Sequence, residues 1–160
     1  MSKKLHKTNA MRELDTLSIP YKTAQYAVDP DHPTGFNVAE ELGESPDQIF
    51  KTLVLHGERK GYLVCCLPSD FELDLKKVAR VAGDKKVELI PVKKLFPTTG
   101  YIRGGCSPLG MKKKFPTFID ETAQLFDEIA VSAGERGEQI IVNPFDLQKA
   151  TDATFADLTT

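Results

Sequence analysis

The chain predicts an α+β domain with a mixed, mostly antiparallel sheet and short flanking helices, and three observations carry that reading. Short β-branched and aromatic runs outnumber the helical ones. Two pairs of runs, Ile49 to His56 with Tyr62 to Leu67 and Ile129 to Ala133 with Glu138 to Val142, are joined by Gly57-Glu-Arg-Lys-Gly61 and Gly134-Glu-Arg-Gly137, turns that suit antiparallel hairpins. The helical periodicities are brief and scattered, which argues against a doubly wound parallel sheet. At 160 residues with 41% hydrophobic content, one domain spanning 1–160 can bury a core without disulfides or metal, residues 1–7 being read as a flexible tail.

Thr8 or Asn9 caps a first helix whose Met11, Leu14 and Leu17 make one apolar face, stopped by Ile19-Pro20. Tyr21 to Ala27 reads as a strand. Asp29-Pro-Asp-His-Pro-Thr-Gly35 is an irregular loop, a candidate lid flanked by Tyr26 and Phe36; these rings suit a pocket wall, and packing against the core is the commoner fate. Val38 to Leu42 is a short helix ended by Gly43. Ser45-Pro-Asp-Gln48 carries a capping serine, a proline at the first helical position and a glutamine at the third, and it leads into the strand from Ile49.

On that strand, period-two alternation puts Lys51 on a face with Ile49, Leu53 and Leu55. Lysine is almost never fully buried without a partner, so Lys51 either snorkels out at the strand end or points its ammonium into a polar pocket. Cys65 and Cys66 are neighbours on the next strand, face opposite ways and read as small buried hydrophobes. Asp74 caps a helix from Leu75 to Ala82 with Leu75, Val78, Ala79 and Ala82 inward, Gly83 as stop, and Lys76, Lys77 and Arg80 on a solvated face. Val87 to Ile90 is a strand, Pro91 to Phe96 a helical turn, and Gly100 to Arg103 a strand. Further on, Phe115 to Asp120 is a strand, Glu121 to Phe126 a short helix, Asn143 the cap of a helix to Ala150, and Ala153 to Leu158 a last strand.

The chemistry centres on Tyr101 to Lys114. Gly104, Gly105 and Gly110 allow backbone conformations closed to other residues, and Pro108 stiffens the turn. Exposed amides in such a loop form a concavity suited to a phosphate, a carboxylate or a tetrahedral oxyanion, with Lys112, Lys113 and Lys114 beside it. The same residues read equally well as a β-turn followed by a solvated basic patch. A net charge of −2 excludes the whole-surface electrostatics of a non-specific nucleic-acid binder, so any such contact is local. Three cysteines, two of them adjacent, suggest neither a disulfide framework nor a zinc site, and point to a reducing, cytoplasmic setting. His6, His32 and His56 lack metal-ligand spacing, and no stretch approaches a membrane span. No cofactor is expected. No nucleophile elbow or phosphate-binding P-loop motif is present, so an enzyme on this chain would work by positioning and electrostatics.

The run Asp47-Gln-Ile-Phe-Lys-Thr-Leu-Val54, the segment Leu73-Asp-Leu-Lys-Lys-Val-Ala79 and the loop Gly104-Gly-Cys-Ser-Pro-Leu-Gly110 closely resemble the YbaK/EbsC family, free-standing relatives of the editing domain inserted in bacterial prolyl-tRNA synthetases. The resemblance spans Thr8 to Leu158. It implies a compact fold with a mixed, barrel-like sheet and an aminoacyl-tRNA deacylase, most like the branch that clears cysteinyl-tRNA(Pro). It implies that Lys51, with Thr52 beside it, engages the phosphate at the 3′ acceptor end of tRNA. The Gly104 to Pro108 loop, with Gly105, Cys106 and Ser107 in it, would approach the terminal ribose and the aminoacyl carbonyl. Tyr26, Phe36 and Ser132 would line the pocket, with Lys112 as flanking charge. Where the family carries an aspartate after the Arg-Gly of the second hairpin, this chain reads Arg136-Gly-Glu-Gln139, so the acid is absent or shifted to Glu138. The implied reaction is substrate-assisted, the cysteinyl thiol attacking its own ester, and the implied partner is prolyl-tRNA synthetase in a transient complex. Two other readings compete: a deacylase for alanine or serine, and a non-catalytic module that grips a tRNA end or a synthetase.

Overall fold

Asp74 accepts hydrogen bonds from the amides of Lys76 and Lys77, and this cap starts one of four α-helices among residues 7–25 and 45–160, the residues that the computed structural model describes. The order is α1 (Asn9–Thr16), β1 (Lys22–Gln25), a 3-10 turn (Pro46–Gln48), β2 (Phe50–Gly57), β3 (Gly61–Pro68), α2 (Leu75–Ala82), β4 (Val87–Leu89), α3 (Val92–Thr99), β5 (Thr117–Asp120), a 3-10 turn (Glu121–Leu125), β6 (Ile129–Ser132), β7 (Glu138–Val142), α4 (Pro144–Thr151) and β8 (Thr154–Ala156). Thr8 caps α1 and Asn143 caps α4, each through its side chain as the sequence predicts.

The strands form two sheets, one ordered β4-β2-β3-β5-β8 and one ordered β1-β7-β6. Both predicted hairpins form, with Lys51 opposite Leu67 and Ser132 opposite Gln139. The larger sheet is mixed, because β5 runs parallel to both β3 and β8. Among the described residues the sheets are separate rather than one closed barrel. An isolated parallel bridge between Ile49 and Ala130 links the start of β2 to β6.

Two apolar layers cover the two faces of the larger sheet. Phe50 and Cys66 pack with α1, α4 and the inner face of the smaller sheet, through Leu14, Leu147, Ile129, Val131 and Ile140. Leu55, Leu63 and Cys65 pack on the opposite side with Val78, Ala79 and Leu158. Cys65 and Cys66 thus face opposite ways, as their adjacency on a strand requires.

Several sequence expectations need correction. Gly100 to Arg103 is not a strand: the Tyr101 amide is captured by Thr99 Oγ1 at 3.0 Å and the Gly105 amide by the Ile102 carbonyl at 3.0 Å, which leaves no ladder to join. The helix expected over Pro91 to Phe96 continues to Thr99, Pro97 included. Leu17 is the C-cap of α1 and is 49% exposed, because Ser18 turns the chain with a φ of 58°. Leu75 sits in the first turn of α2 and is 39% exposed. The readings of the 29–35 loop and of a helix at 38–42 fall outside the described residues, as does the tail reading except at Lys7, which pairs with Asp15.

Candidate active site

The glycine loop is fixed from three directions. At its start, Thr99 Oγ1 donates to the Leu95 carbonyl at 2.8 Å and Gly100 takes a left-handed φ of 87°, which ends α3. Ile102 to Gly105 then form a tight turn with Gly104 at a φ of 85° in the third position, a conformation that glycine enters without strain. At the far end, the Tyr101 hydroxyl donates to the Leu109 carbonyl, and the Gly110 amide donates to Glu13 Oε2 on α1 at 2.8 Å. A Cβ on Gly110 would stand 2.6 Å from the Ala10 nitrogen, so the loop touches the first turn of α1 backbone to backbone. The third support is the β6–β7 turn. A Cβ on Gly105 would lie 3.1 Å from the Arg136 nitrogen, and Arg136 Nε donates to the Arg103 carbonyl at 2.7 Å.

With these bonds made, the amides of Gly104, Cys106 and Ser107 have no acceptor among the described residues. Cys106 is 8% exposed and Ser107 is fully buried. A buried amide without a partner costs on the order of 1–3 kcal/mol. A rigid loop that keeps three unpaired amides is suited to an anion or a developing oxyanion. The Ser107 hydroxyl accepts from the Leu109 amide at 3.2 Å, a shaping role. Cys106 packs with Val54, Val64 and Tyr101, and burial pushes its thiol up to about 12, leaving it protonated and unreactive at neutral pH. Beyond Gly110 the loop borders a pocket of about 60 Å³, lined in part by Glu13, Pro108, Lys113 and Lys114. That is far below the roughly 300 Å³ at which ligand sites begin.

Strand β2 presents two different sides. Phe50, Thr52 and Val54 face the glycine loop's side of the sheet: Thr52 Oγ1 lies 3.8 Å from Cys66 Sγ, and Val54 packs with Cys106. Lys51, Leu53 and Leu55 alternate to the other side, with Leu53 and Leu55 in the cluster beneath α2. Lys51 therefore does not share the loop's side of β2. Its ammonium makes no ion pair with a described residue. Burial lowers its pKa from the ordinary 10.5, and the negative charges of Asp70 and Glu72 offset that only in part.

What Lys51 does share is a face with Ser132. The parallel bridge aligns Ile49 with Ala130, and two residues further along each strand stand Lys51 and Ser132. Gln139 lies opposite Ser132 on β7 and belongs to the same face. Ser132 is 8% exposed, with its hydroxyl accepting from the Gly134 amide at 3.1 Å, and Gln139 is 6% exposed with its Oε1 unpartnered. Gln139 is the position that sequence reasoning missed. Glu138, the suggested replacement for the family's acid, alternates to the opposite face and accepts from Gln25 Nε2 at 3.2 Å. Counting strand parity from the Ser132–Gln139 pair was the signal available.

Lys112 lies beside the loop's entrance, its amide donating to the Thr99 carbonyl at 3.0 Å and its ammonium 5.3 Å from the centroid of Phe96. Tyr26 and Phe36 lie outside the described residues. The β6–β7 turn is the element that connects the two groups of polar atoms. Ser132 and Gln139 close its strands on the Lys51 side, and Glu135 and Arg136 abut the loop.

Residues 30–150 match the family model for the aminoacyl-tRNA editing domain. A protein of Enterococcus faecalis (strain ATCC 700802 / V583), provisionally named the Cys-tRNA(Pro)/Cys-tRNA(Cys) deacylase EbsC, is 50% identical over 154 residues, covering 96% of this chain and 94% of its own. A proline–tRNA ligase of Brachyspira hyodysenteriae (strain ATCC 49526 / WA1) is 23% identical over 139 residues, 87% of this chain and 24% of the ligase, so the likeness is to one part of that enzyme. A crystal structure provisionally assigned as a trans-editing enzyme for prolyl-tRNA synthetase superposes with a TM-score of 0.85 at 25% identity, over 95% of each chain.

Proposed function

The chain belongs to the aminoacyl-tRNA editing domain family, and from that premise we propose that it is a trans-editing deacylase that removes cysteine mischarged on tRNA(Pro). The observation that carries the reading at the level of chemistry is the set of three unpaired amides at Gly104, Cys106 and Ser107 on a loop fixed at both ends. In this reading they receive the oxyanion that develops when the aminoacyl carbonyl is attacked. Each well-placed donor is worth about 3 kcal/mol of barrier.

The attacking group comes from the substrate. The cysteinyl thiol, deprotonated, adds to its own ester carbonyl; the bond to the ribose oxygen breaks, that oxygen takes up a proton, and a cyclic thiolactone leaves the tRNA end. The chain's own thiols support this division of labour, since burial holds Cys65, Cys66 and Cys106 above the ordinary thiol range. Cys106→Ala should accordingly retain activity within about twofold, and a dead variant would show that the sulfur is the enzyme's. Lys51 is assigned to the terminal phosphate, where its unpaired, partly desolvated ammonium has most to gain from an anion. Ser132 and Gln139 are assigned to the wall nearest the substrate's amino group, Thr52 to holding the strand through Cys66, and Tyr26 and Phe36 to the pocket rim.

Prolyl-tRNA synthetase is proposed as a transient partner that supplies tRNA selection. The deciding experiment measures deacylation of cysteinyl-, alanyl- and prolyl-tRNA(Pro) side by side, with the released product identified. Fast release from the cysteinyl ester alone, as thiolactone or its hydrolysis product, supports the reading. Preferential release of alanine would move the substrate class, and saturable binding without turnover of any ester would make the chain a binding module.

A further inference from the structure

Between Ile90 and Thr117 the chain carries six cations, Lys93, Lys94, Arg103, Lys112, Lys113 and Lys114, and no carboxylate. The whole chain holds 21 Lys and Arg against 23 Asp and Glu, so its acids are all elsewhere. All six are exposed, and none makes an ion pair with a described residue. Apolar groups stand among them at unusual exposure: Val92 at 59%, Phe96 at 56% and Ile102 at 50%. Val92 and Phe96 are one helical turn apart on α3 and share a face, over which the Lys112 ammonium lies 5.3 Å from the Phe96 centroid. The surface is continuous with the glycine loop, since Lys112 hydrogen-bonds Thr99 at the end of α3 and a Cβ on Gly100 would stand 3.2 Å from the Lys112 side chain.

We propose that this surface binds the single-stranded 3′ end of the substrate RNA just upstream of the terminal adenosine, with Phe96 stacking on a base and Lys93, Lys94 and Lys112 taking the adjoining phosphates. An exposed ring beside cations is how proteins grip single strands without reading sequence: the ring accepts any base and the cations track the backbone. Charge complementarity favours RNA as the occupant, because a polyanion answers six cations that pair with no described residue. The exposed apolar groups, Val92, Phe96 and Ile102, are few beside the six cations, which leaves little for a hydrophobic partner. The inference rests on the deacylase reading, which sets the acylated ribose at the neighbouring amides.

The test measures fluorescence anisotropy of a labelled, uncharged RNA hairpin ending in a single-stranded ACCA, alongside steady-state deacylation of cysteinyl-tRNA(Pro). Phe96→Ala should weaken hairpin binding by about 5- to 30-fold, and Lys93→Glu/Lys94→Glu by about tenfold or more with a shallower dependence on salt. Lys76→Glu/Arg80→Glu, the same charge change on α2, should alter binding by less than about twofold if the effect is local. In deacylation the surface variants should raise KM and leave kcat unchanged. Equal losses in the α2 control, or none in either variant, would overturn the proposal. So would a defect confined to a complex with prolyl-tRNA synthetase, since the occupant would then be a protein. Should wild type bind the hairpin through this surface yet cleave no ester, the deacylase reading fails and the surface stands. If the surface variants cleave with wild-type KM, the surface fails and the deacylase stands.

Discussion

Two lysine-rich stretches follow one another in the chain and end in opposite electrostatic conditions. Around α2 and β4 the cations are interleaved with acids. Lys77 pairs with Asp157 at 2.8 Å and Lys86 with Glu88 at 3.2 Å, and the Asp84 carboxylate accepts amides from Arg59, Lys60, Lys85 and Lys86. Burial works against the charge on Asp84, but those four amides outweigh it and hold the carboxyl below its usual range. The segment that carries α3 and the glycine loop holds no acid of its own, and the carboxylate that reaches it, Glu13 from α1, is taken by the Gly110 amide. In the first stretch Lys77 and Lys86 have carboxylate partners within the protein. In the second no cation pairs with a described residue. Lys51 is a third condition, half-buried and without an ion pair among the described residues.

The sharpest break with this contrast comes from Lys51. Lys51→Ala should lower kcat/KM for cysteinyl-tRNA(Pro) by about 100-fold or more, the range found when one member of a close charge pair is removed. Its melting temperature should stay level or rise, because Asp70 and Glu72 offset only part of the burial cost of the wild-type ammonium. A variant with normal turnover would place Lys51 among the structural lysines.

The same residue predicts a pH effect of definite sign. Its folded pKa lies below the ordinary 10.5, so folding disfavours the ammonium. Binding of an uncharged acceptor end should weaken as pH rises through that lowered value, at a pH where ordinary surface lysines keep their charge. Over the same window, between the folded value and 10.5, wild type should gain stability relative to Lys51→Met, since the folded chain releases its proton first. An alkaline limb unchanged in Lys51→Arg would assign the titration to another group.

Asp84→Ala should do the reverse of Lys51→Ala, lowering the melting temperature while leaving kcat/KM within about twofold, because it strips four backbone amides of their acceptor and none of the four belongs to the loop. Lys77→Ala is the smallest perturbation: exposed ion pairs contribute little, and neither stability nor turnover should move much. A large kinetic effect there would erase the distinction between the two stretches.

Much of this organisation can be read from residue order. The caps at Thr8, Asp74 and Asn143, the register of β2 with β3 and the anomalous face of Lys51 all follow from local rules that tertiary structure leaves intact. Other features depend on competition between distant groups. Whether Gly100 to Arg103 joins a sheet is decided by the Thr99 hydroxyl, which takes the Tyr101 amide first. Whether Glu138 or Gln139 lies beside Ser132 depends on how the turn at Gly137 sets strand parity. The glycine loop was recognisable by composition, but which of its amides stay unpaired emerges only once Glu13 and the Ile102 and Thr99 carbonyls have claimed theirs.

The backbone contact between Gly110 and the start of α1 has a consequence for genetics. Leu14 anchors α1 in the core at zero exposure, and Glu13, the residue before it, holds the loop's last amide. Alleles recovered for lost proofreading should therefore fall in the first helix as well as in the loop, although that helix carries no residue assigned to the reaction.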